Sequence, residues 1–428
     1  MSNRPGALGN IAWLTAERVA RLLLQLFIAV VVIRYLGPSK FGIVATVASI
    51  ALILVGIQNF GFDSLVMDAT DEDPPRDNRV LVTALSTRAA LGLLFAVGLG
   101  VGAQFVGNDE IRFGLMVTIA VVVAMPLDTF RMALDVRRQS RVYVRRRIAV
   151  IALHVVIQVT LVLLETEVVL FLAANAFIAV MQYVVVAYPL PRVAWVGGFD
   201  FGVLRRALPL FFAAVAANLY LRIDTVMLTG LYGPTEAGIY SAAVQIAEIP
   251  GFLPIAIGAT FFLDIRTAKG NPTQEQDVLT YTTALVTGTV GLAVIGLIVF
   301  GPFLLPLLLG EAFQESAKIL VIYAPSMFFL GWGIIRHRWL VVNNLEYHSA
   351  IAAIIGLVVN VGLNLALIPS LGAVGATIAT LVSYAMGMYG YSVVVPRCRP
   401  AAVAVHRSFA RAPRAVLKLL KRDRTSVD

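Results

Sequence analysis

The chain has 428 residues, 59% of them apolar and only 14% charged, with a mean hydropathy of +0.85. Soluble domains run at about 45–50% apolar and about 25% charged, so a soluble enzyme is excluded. A nucleic-acid binder is excluded too, and the formal charge of +9 with a pI near 9.8 must be explained by its position along the chain.

At about 20 apolar residues per membrane-spanning helix, the roughly 253 apolar residues supply on the order of twelve spans. Apolar runs separated by polar punctuation predict them at 11–33, 41–67, 79–106, 111–130, 145–164 and 168–188. The second half adds 204–230, 235–263, 278–308, 313–335, 347–368 and 372–395. The first run carries Glu17, Arg18 and Arg21, so it is too long and too charged for a signal peptide and reads as a retained span. Pro126, Pro209, Pro250, Pro254, Pro302, Pro306 and Pro325 fall within the runs, as membrane helices tolerate. One cysteine, Cys398, and four histidines without H-x-x-x-H spacing leave no thiolate or histidine metal site. No cofactor is expected.

With the N-terminus placed in the cytoplasm, Lys and Arg divide 26 to 4 between inner and outer connections. That asymmetry predicts an even number of spans with both termini inside. The expected plan is an all-α integral membrane protein. A first six-helix bundle covers 1–190, a cytoplasmic linker 191–203, a second bundle 204–395, and a basic cytoplasmic tail 396–428. No connection is long enough for a folded catalytic domain, so no enzyme is expected.

The two halves resemble each other. Leu36-Gly37-Pro38 followed by Gly42-Ile43 recurs as Tyr232-Gly233-Pro234 followed by Gly238-Ile239, 196 residues later. The same offset aligns Asp68 with Asp264, and Pro126 lies 199 residues from Pro325. Six spans per half make a parallel repeat, a pattern of transporters. Gly-Pro ends one helix and turns the chain, and the second glycine permits close approach.

These motifs carry a family resemblance. R-Y-L-G-P-S-K-F-G-I (Arg34–Ile43) resembles the first outer turn of the Wzx-type polysaccharide flippases. N-L-Y-L-R-I-D-T-V-M-L (Asn218–Leu228) and L-Y-G-P-T-E-A-G-I-Y-S-A-A (Leu231–Ala243) are similar to their seventh and eighth helices, and I-P-S-L-G-A-V-G-A-T-I-A-T (Ile368–Thr380) to their last turn. The resemblance implies the multidrug/oligosaccharidyl-lipid/polysaccharide exporter superfamily, with two bundles in a V around a central cavity and alternating access. It implies a bacterial plasma-membrane protein that flips an undecaprenyl-pyrophosphate-linked oligosaccharide while the tail stays in the bilayer. Expected partners are that lipid, membrane lipids, and a polymerase with other polysaccharide-assembly proteins. Two other readings stand beside it: a cation-coupled drug antiporter of the same superfamily, and a membrane-embedded polysaccharide polymerase or ligase.

Charges inside spans are costly and face a bundle interior or a water-filled cavity. Glu17, Arg18, Arg21 and Gln25 share one face of the first span. Arg18 and Arg21 suit a pyrophosphate, because the guanidinium fork holds two oxygens; the alternative is a Glu17–Arg21 pair snorkelling to the interface. Arg88 either extends this cationic cavity or pairs with Asp63. Arg222 and Asp224 are two apart and face different sides; Arg222 shares a face with Asn218, a candidate substrate position. Asp224 serves ion coupling or a structural pair. Gln245 and Glu248 precede Pro250 and Pro254, where a carboxylate beside a broken helix suits a gate or a proton or cation site; the alternative is a satisfied polar contact between the bundles. His154 with Gln158 offers a proton relay or a packing hydrogen bond. Asn360 with Asn364 offers sugar contacts or a helix–helix link. The tail, with Arg407, Arg411, Arg414, Lys418, Lys421 and Arg422, is either a basic helix on the inner leaflet or a topology signal. Labelling of Cys398 would report its side.

Overall fold

The computed structural model describes the backbone of residues 5–63, 65, 74–136, 141–188 and 198–424, and side chains from 27 to 417 within those ranges except 74–78, 135–136 and 141–142. Among them there is no strand. The helices are α1 (Pro5–Asn59), α2 (Pro74–Gly102), α3 (Asp109–Ala124), α4 (Thr129–Val136), α5 (Arg141–Leu163) and α6 (Val168–Ala187) in the first half. The second half holds α7 (Phe201–Tyr232), α8 (Pro234–Ala247), α9 (Phe252–Thr260), α10 (Phe262–Thr267), α11 (Pro272–Leu309), α12 (Gln314–Tyr323) and α13 (Ser326–Val342). It ends with α14 (Tyr347–Tyr384), a π-turn at Ala385–Gly390, α15 (Tyr391–Val394) and α16 (Arg399–Arg424).

Among the described residues, eight helices are long and apolar enough to cross a membrane, and two bent pairs raise that to ten. Two of the eight are themselves broken. Tyr347–Val394 has 48 residues, about 72 Å if straight, more than twice a hydrocarbon core of about 30 Å. It breaks at Gly372 (φ 54, ψ −132), and α1 breaks at Gly37 (φ 66, ψ 175). The Gly37 break falls between two expected spans, and the Gly372 break at the first residue of the expected span 372–395. Gly233 repeats the Gly37 conformation at φ 92, ψ 172, a left-handed geometry that a side chain would resist. The proline pair also recurs as a break. Pro126 lies in the 3₁₀ turn Met125–Asp128 between α3 and α4, and Pro325 lies at the 48° bend between α12 and α13.

Local chemistry sets several helix starts. Asn108 accepts from Ile111 N at 2.8 Å ahead of Asp109 and Glu110, and Asn271 accepts from Gln274 N at 3.2 Å ahead of Pro272. Asp200 caps α7 through Gly202 N at 2.7 Å, so that helix begins inside the expected 191–203 linker.

The two bundles touch along a seam. Beyond Gly37, α1 runs antiparallel to α7: Thr46 and Thr229 hydroxyls share a hydrogen bond of 2.5 Å, Gly56 lies against the Asn218 amide, and Gly61 against Leu210. Phe60 stacks on Phe211 at 4.3 Å. Near the Gly37 end the repeat closes on itself. A Cβ on Gly42 would overlap the Pro234 carbonyl, and one on Gly238 would overlap the Pro38 carbonyl. One buried core there includes Ile33, Leu36 and Phe41 from the first bundle and Leu228, Ile239 and Tyr240 from the second.

The tail is neither unstructured nor a separate surface helix. Residues Ala401, Ala402, Val405, Ser408, Ala412 and Ala415 of α16 form a buried face, with Arg407, Arg411 and Arg414 exposed opposite. Ser408 and Thr287 hydroxyls share a 2.8 Å hydrogen bond, and Arg411 meets Asp277 at 3.2 Å, which holds α16 along the first half of α11. Cys398 is fully buried, and burial pushes its thiol up while Arg336 opposes, so labelling it would not report its side.

Candidate functional site

Among the described residues, two charged clusters within the helices bear on the site, one in each bundle. In the first, the end of α1 meets α2, the α3–α4 junction and α5. Asp63 pairs with Arg131 at 2.7 Å and stands 3.7 Å from Arg88. Asp128 pairs with Arg131 at 2.9 Å and Arg147 at 2.8 Å. Arg88 is fully buried, and its guanidinium donates to Thr129 Oγ1 at 3.2 Å, to Met132 Sδ at 3.1 Å and to the Asn59 side chain. Asn59 in turn donates to Asp63 Oδ2 at 2.9 Å. Of the two sequence alternatives for Arg88, the structure contains the pairing with Asp63. The side chains of Glu17, Arg18, Arg21 and Gln25 lie outside the described residues, as does Asp68.

His154, Gln158 and Asn175 form a closed triangle between α5 and α6. His154 Nε2 is 3.0 Å from Asn175 Oδ1 and 2.9 Å from Gln158 Nε2, and Gln158 donates to Asn175 at 2.9 Å. The i,i+4 pair read from sequence therefore has a third member on the next helix.

The second cluster is built on α7. Arg222 lies one turn beyond Asn218, whose amide packs against Gly56 of the first bundle, so both are on the bundle-facing side. Arg222 Nη2 approaches Glu248 Oε2 at 3.7 Å, with side chains 37% and 25% exposed. Tyr323 OH donates to Glu248 Oε1 at 3.1 Å. Asp224 points elsewhere, as a two-residue offset requires. It is buried and accepts from Thr225 N at 2.7 Å, from Thr380 Oγ1 at 3.2 Å and from the Tyr240 hydroxyl. Arginine and lysine are absent from its partners among the described residues. Asn360 donates to Thr380 at 3.4 Å and Ser383 at 3.3 Å, and accepts from Asn364 at 3.0 Å. Both asparagines are fully buried, and Asn364 Oδ1 is left without a donor. They link the two parts of α14 and reach Asp224 through Thr380. Gln245 is exposed.

Tyr240, Tyr323, Thr380, Asp128, Arg131 and Arg147 were not singled out from sequence. Arg336 is a further case: counted as an inner-face charge, it is buried and donates to the carbonyls of Gly387 and Met388, each at 2.9 Å. These carbonyls belong to the π-turn, whose altered hydrogen-bond spacing gives the guanidinium acceptors.

Two apolar bundles, a glycine-sealed seam and a partly exposed arginine–carboxylate pair facing it define a multi-pass membrane protein of transporter architecture. The family described as polysaccharide biosynthesis protein matches residues 7–262, and the chain belongs to it. It is similar to the probable low-salt glycan biosynthesis flippase Agl15 of Haloferax volcanii, with 25% identity over 176 residues, 41% of this chain and 37% of that protein. The matched segment thus spans well under two thirds of that relative. The fold is that of two solved transporters. The lipid II flippase MurJ in an inward closed conformation aligns with TM-score 0.74 and 14% identity, covering 94% of this chain and 92% of that one. An inward-facing multidrug resistance MATE family transporter of the MOP superfamily aligns with TM-score 0.70 and 15% identity, covering 92% and 95%.

Proposed function

We propose that the protein flips an undecaprenyl-pyrophosphate-linked oligosaccharide across the bacterial plasma membrane by alternating access, for assembly of a surface or exported polysaccharide. The observation that carries this reading is Arg222. It is an arginine inside a span, on the face between the bundles, held at only 3.7 Å by one carboxylate and still 37% exposed. A guanidinium so placed is matched to a pyrophosphate. Arg18 and Arg21 would meet the same group from the first span. Membership of the polysaccharide family favours this cargo over a drug.

In this reading the chain makes twelve crossings, counting the α1 and α14 breaks as turns, with both termini inside. The seam at Gly42 and Gly238 is then the closed outer end. Asp224 is the coupling carboxylate for H⁺ or Na⁺. Support comes from its burial with neutral donors alone and from the unpaired Asn364 oxygen in the same cluster. The polymerase that consumes the flipped unit is the expected partner.

The test is reconstitution in vesicles with labelled lipid-linked oligosaccharide. Head groups should become accessible from the opposite leaflet at unchanged chain length, and Arg222→Gln should slow this at least tenfold. Sugar polymerisation, or drug efflux without lipid movement, would overturn the reading.

A further inference from the structure

We propose that Glu248 is a built-in competitor for the head-group position at Arg222: a carboxylate that occupies the arginine while the site is empty and is displaced by the arriving anion. This rests on the reading of Arg222 as the head-group contact.

The geometry carries the proposal. Arg222 Nη2 and Glu248 Oε2 are 3.7 Å apart, longer than a charge-assisted hydrogen bond of about 2.7–2.9 Å. Both side chains are partly exposed, so another anion can reach the guanidinium. Glu248 has a second place to go, because Tyr323 already donates to its other oxygen at 3.1 Å. It also stands at a mechanical break. It is the last αR residue before the 3₁₀ turn Ile249–Gly251, and the two helical segments around that turn are bent by 41°. Releasing Glu248 from Arg222 unties α8 from α7 at the point where that span bends. Glu248 thus acts as a positioning residue that converts occupancy of Arg222 into freedom of the α8–α9 break.

Around Glu248 stand Arg222 and Asp224 on α7, Tyr323 on α12 and Tyr384 on α14, with Tyr240 of α8 against Tyr323 and Tyr220 of α7 against Tyr384. The tyrosines are neutral across the physiological range, and Asp224 is engaged by Tyr240, Thr380 and Thr225. Protonation of Glu248 therefore removes the competitor, and acidification should strengthen binding of an anionic head group. The pyrophosphate itself titrates, but it does so equally for every variant.

The test measures undecaprenyl pyrophosphate binding to the full chain in nanodiscs between pH 5.5 and 8, with undecaprenol as the uncharged control. Glu248→Gln keeps an oxygen for Tyr323 while losing the charge. It should tighten binding about two- to fivefold at pH 8, the range of a partly exposed ion pair. It should also flatten the pH dependence relative to the unsubstituted protein. Glu248→Asp should keep the dependence. Equal or weaker binding by Glu248→Gln, or an unchanged pH slope, would overturn the competitor role. If Arg222→Gln leaves binding unchanged, the head-group reading itself fails, which separates the two failures.

Discussion

Asp63 and Arg88 show how a charge is kept inside a span. Arg88 is completely buried, so its cost is met by Asn59, Thr129 and the nearby carboxylate of Asp63. Breaking one side of such a pair leaves an uncompensated buried charge, whereas removing both does not. Asp63→Asn should therefore lower stability by about 2 kcal/mol, discounted because its side chain is 39% exposed. Adding Arg88→Met should recover at least half of that loss, as measured by thermal unfolding in detergent. Additive damage in the double variant would mean that the guanidinium is needed for its hydrogen bonds alone. Depth in the spans offers Asp63 as one of two readings for Arg88, and i,i+4 spacing reads His154 with Gln158. Partners 68 residues apart, such as Asp63 and Arg131, or 156 apart, such as Asp224 and Thr380, leave no local pattern. Tyr240 and Tyr323 look like ordinary interface aromatics until the fold brings them to the carboxylates.

At the level of helices, breaks carry the information. The repeated Gly37-Pro38 and Gly233-Pro234 pairs read directly as the ends of spans, whereas Pro126 and Pro325 mark breaks inside expected spans. The second glycine of each motif proves to have a partner that spacing alone leaves undetermined. Gly42 and Gly238 lie backbone to backbone, each where a Cβ would overlap the other motif's proline carbonyl. Gly42→Ala should therefore pry the bundles apart at this end. Spin labels on the two bundles near residues 40 and 236 should report a longer mean distance and a broader distribution. Gly98→Ala serves as the control, because a Cβ there meets nothing within 4 Å. An unchanged distance in Gly42→Ala would show that the two bundles do not meet backbone to backbone at this end. The tail was harder to read. Its buried face consists of alanines with Val405 and Ser408, too weakly apolar to separate a packed helix from a solvated basic one.

Across the whole molecule, the duplication is legible because it repeats as conformation as well as sequence: matching left-handed glycines, matching proline breaks, and one reciprocal contact between halves. The direction of the chain in the membrane rests instead on charge, with 26 basic residues assigned to one side and 4 to the other. The structure adds a caution to that census. Arg336 is spent on the π-turn, and Arg131 and Arg147 on Asp128, so part of the inner-face charge is structural. The asymmetry survives their removal, since 23 basic residues on one side still stand against 4 on the other. Because Cys398 is buried, orientation is best tested in a Cys398→Ala background with single cysteines at exposed positions. Glu315→Cys, at the start of α12, should react with an impermeant maleimide in intact cells. Thr273→Cys, at the start of α11, should react only after the membrane is opened. The reverse pattern would invert the chain and place the Gly42–Gly238 seam on the cytoplasmic side. Equal labelling of both sites in intact cells would mean that α11, the one long helix between them, does not cross the membrane.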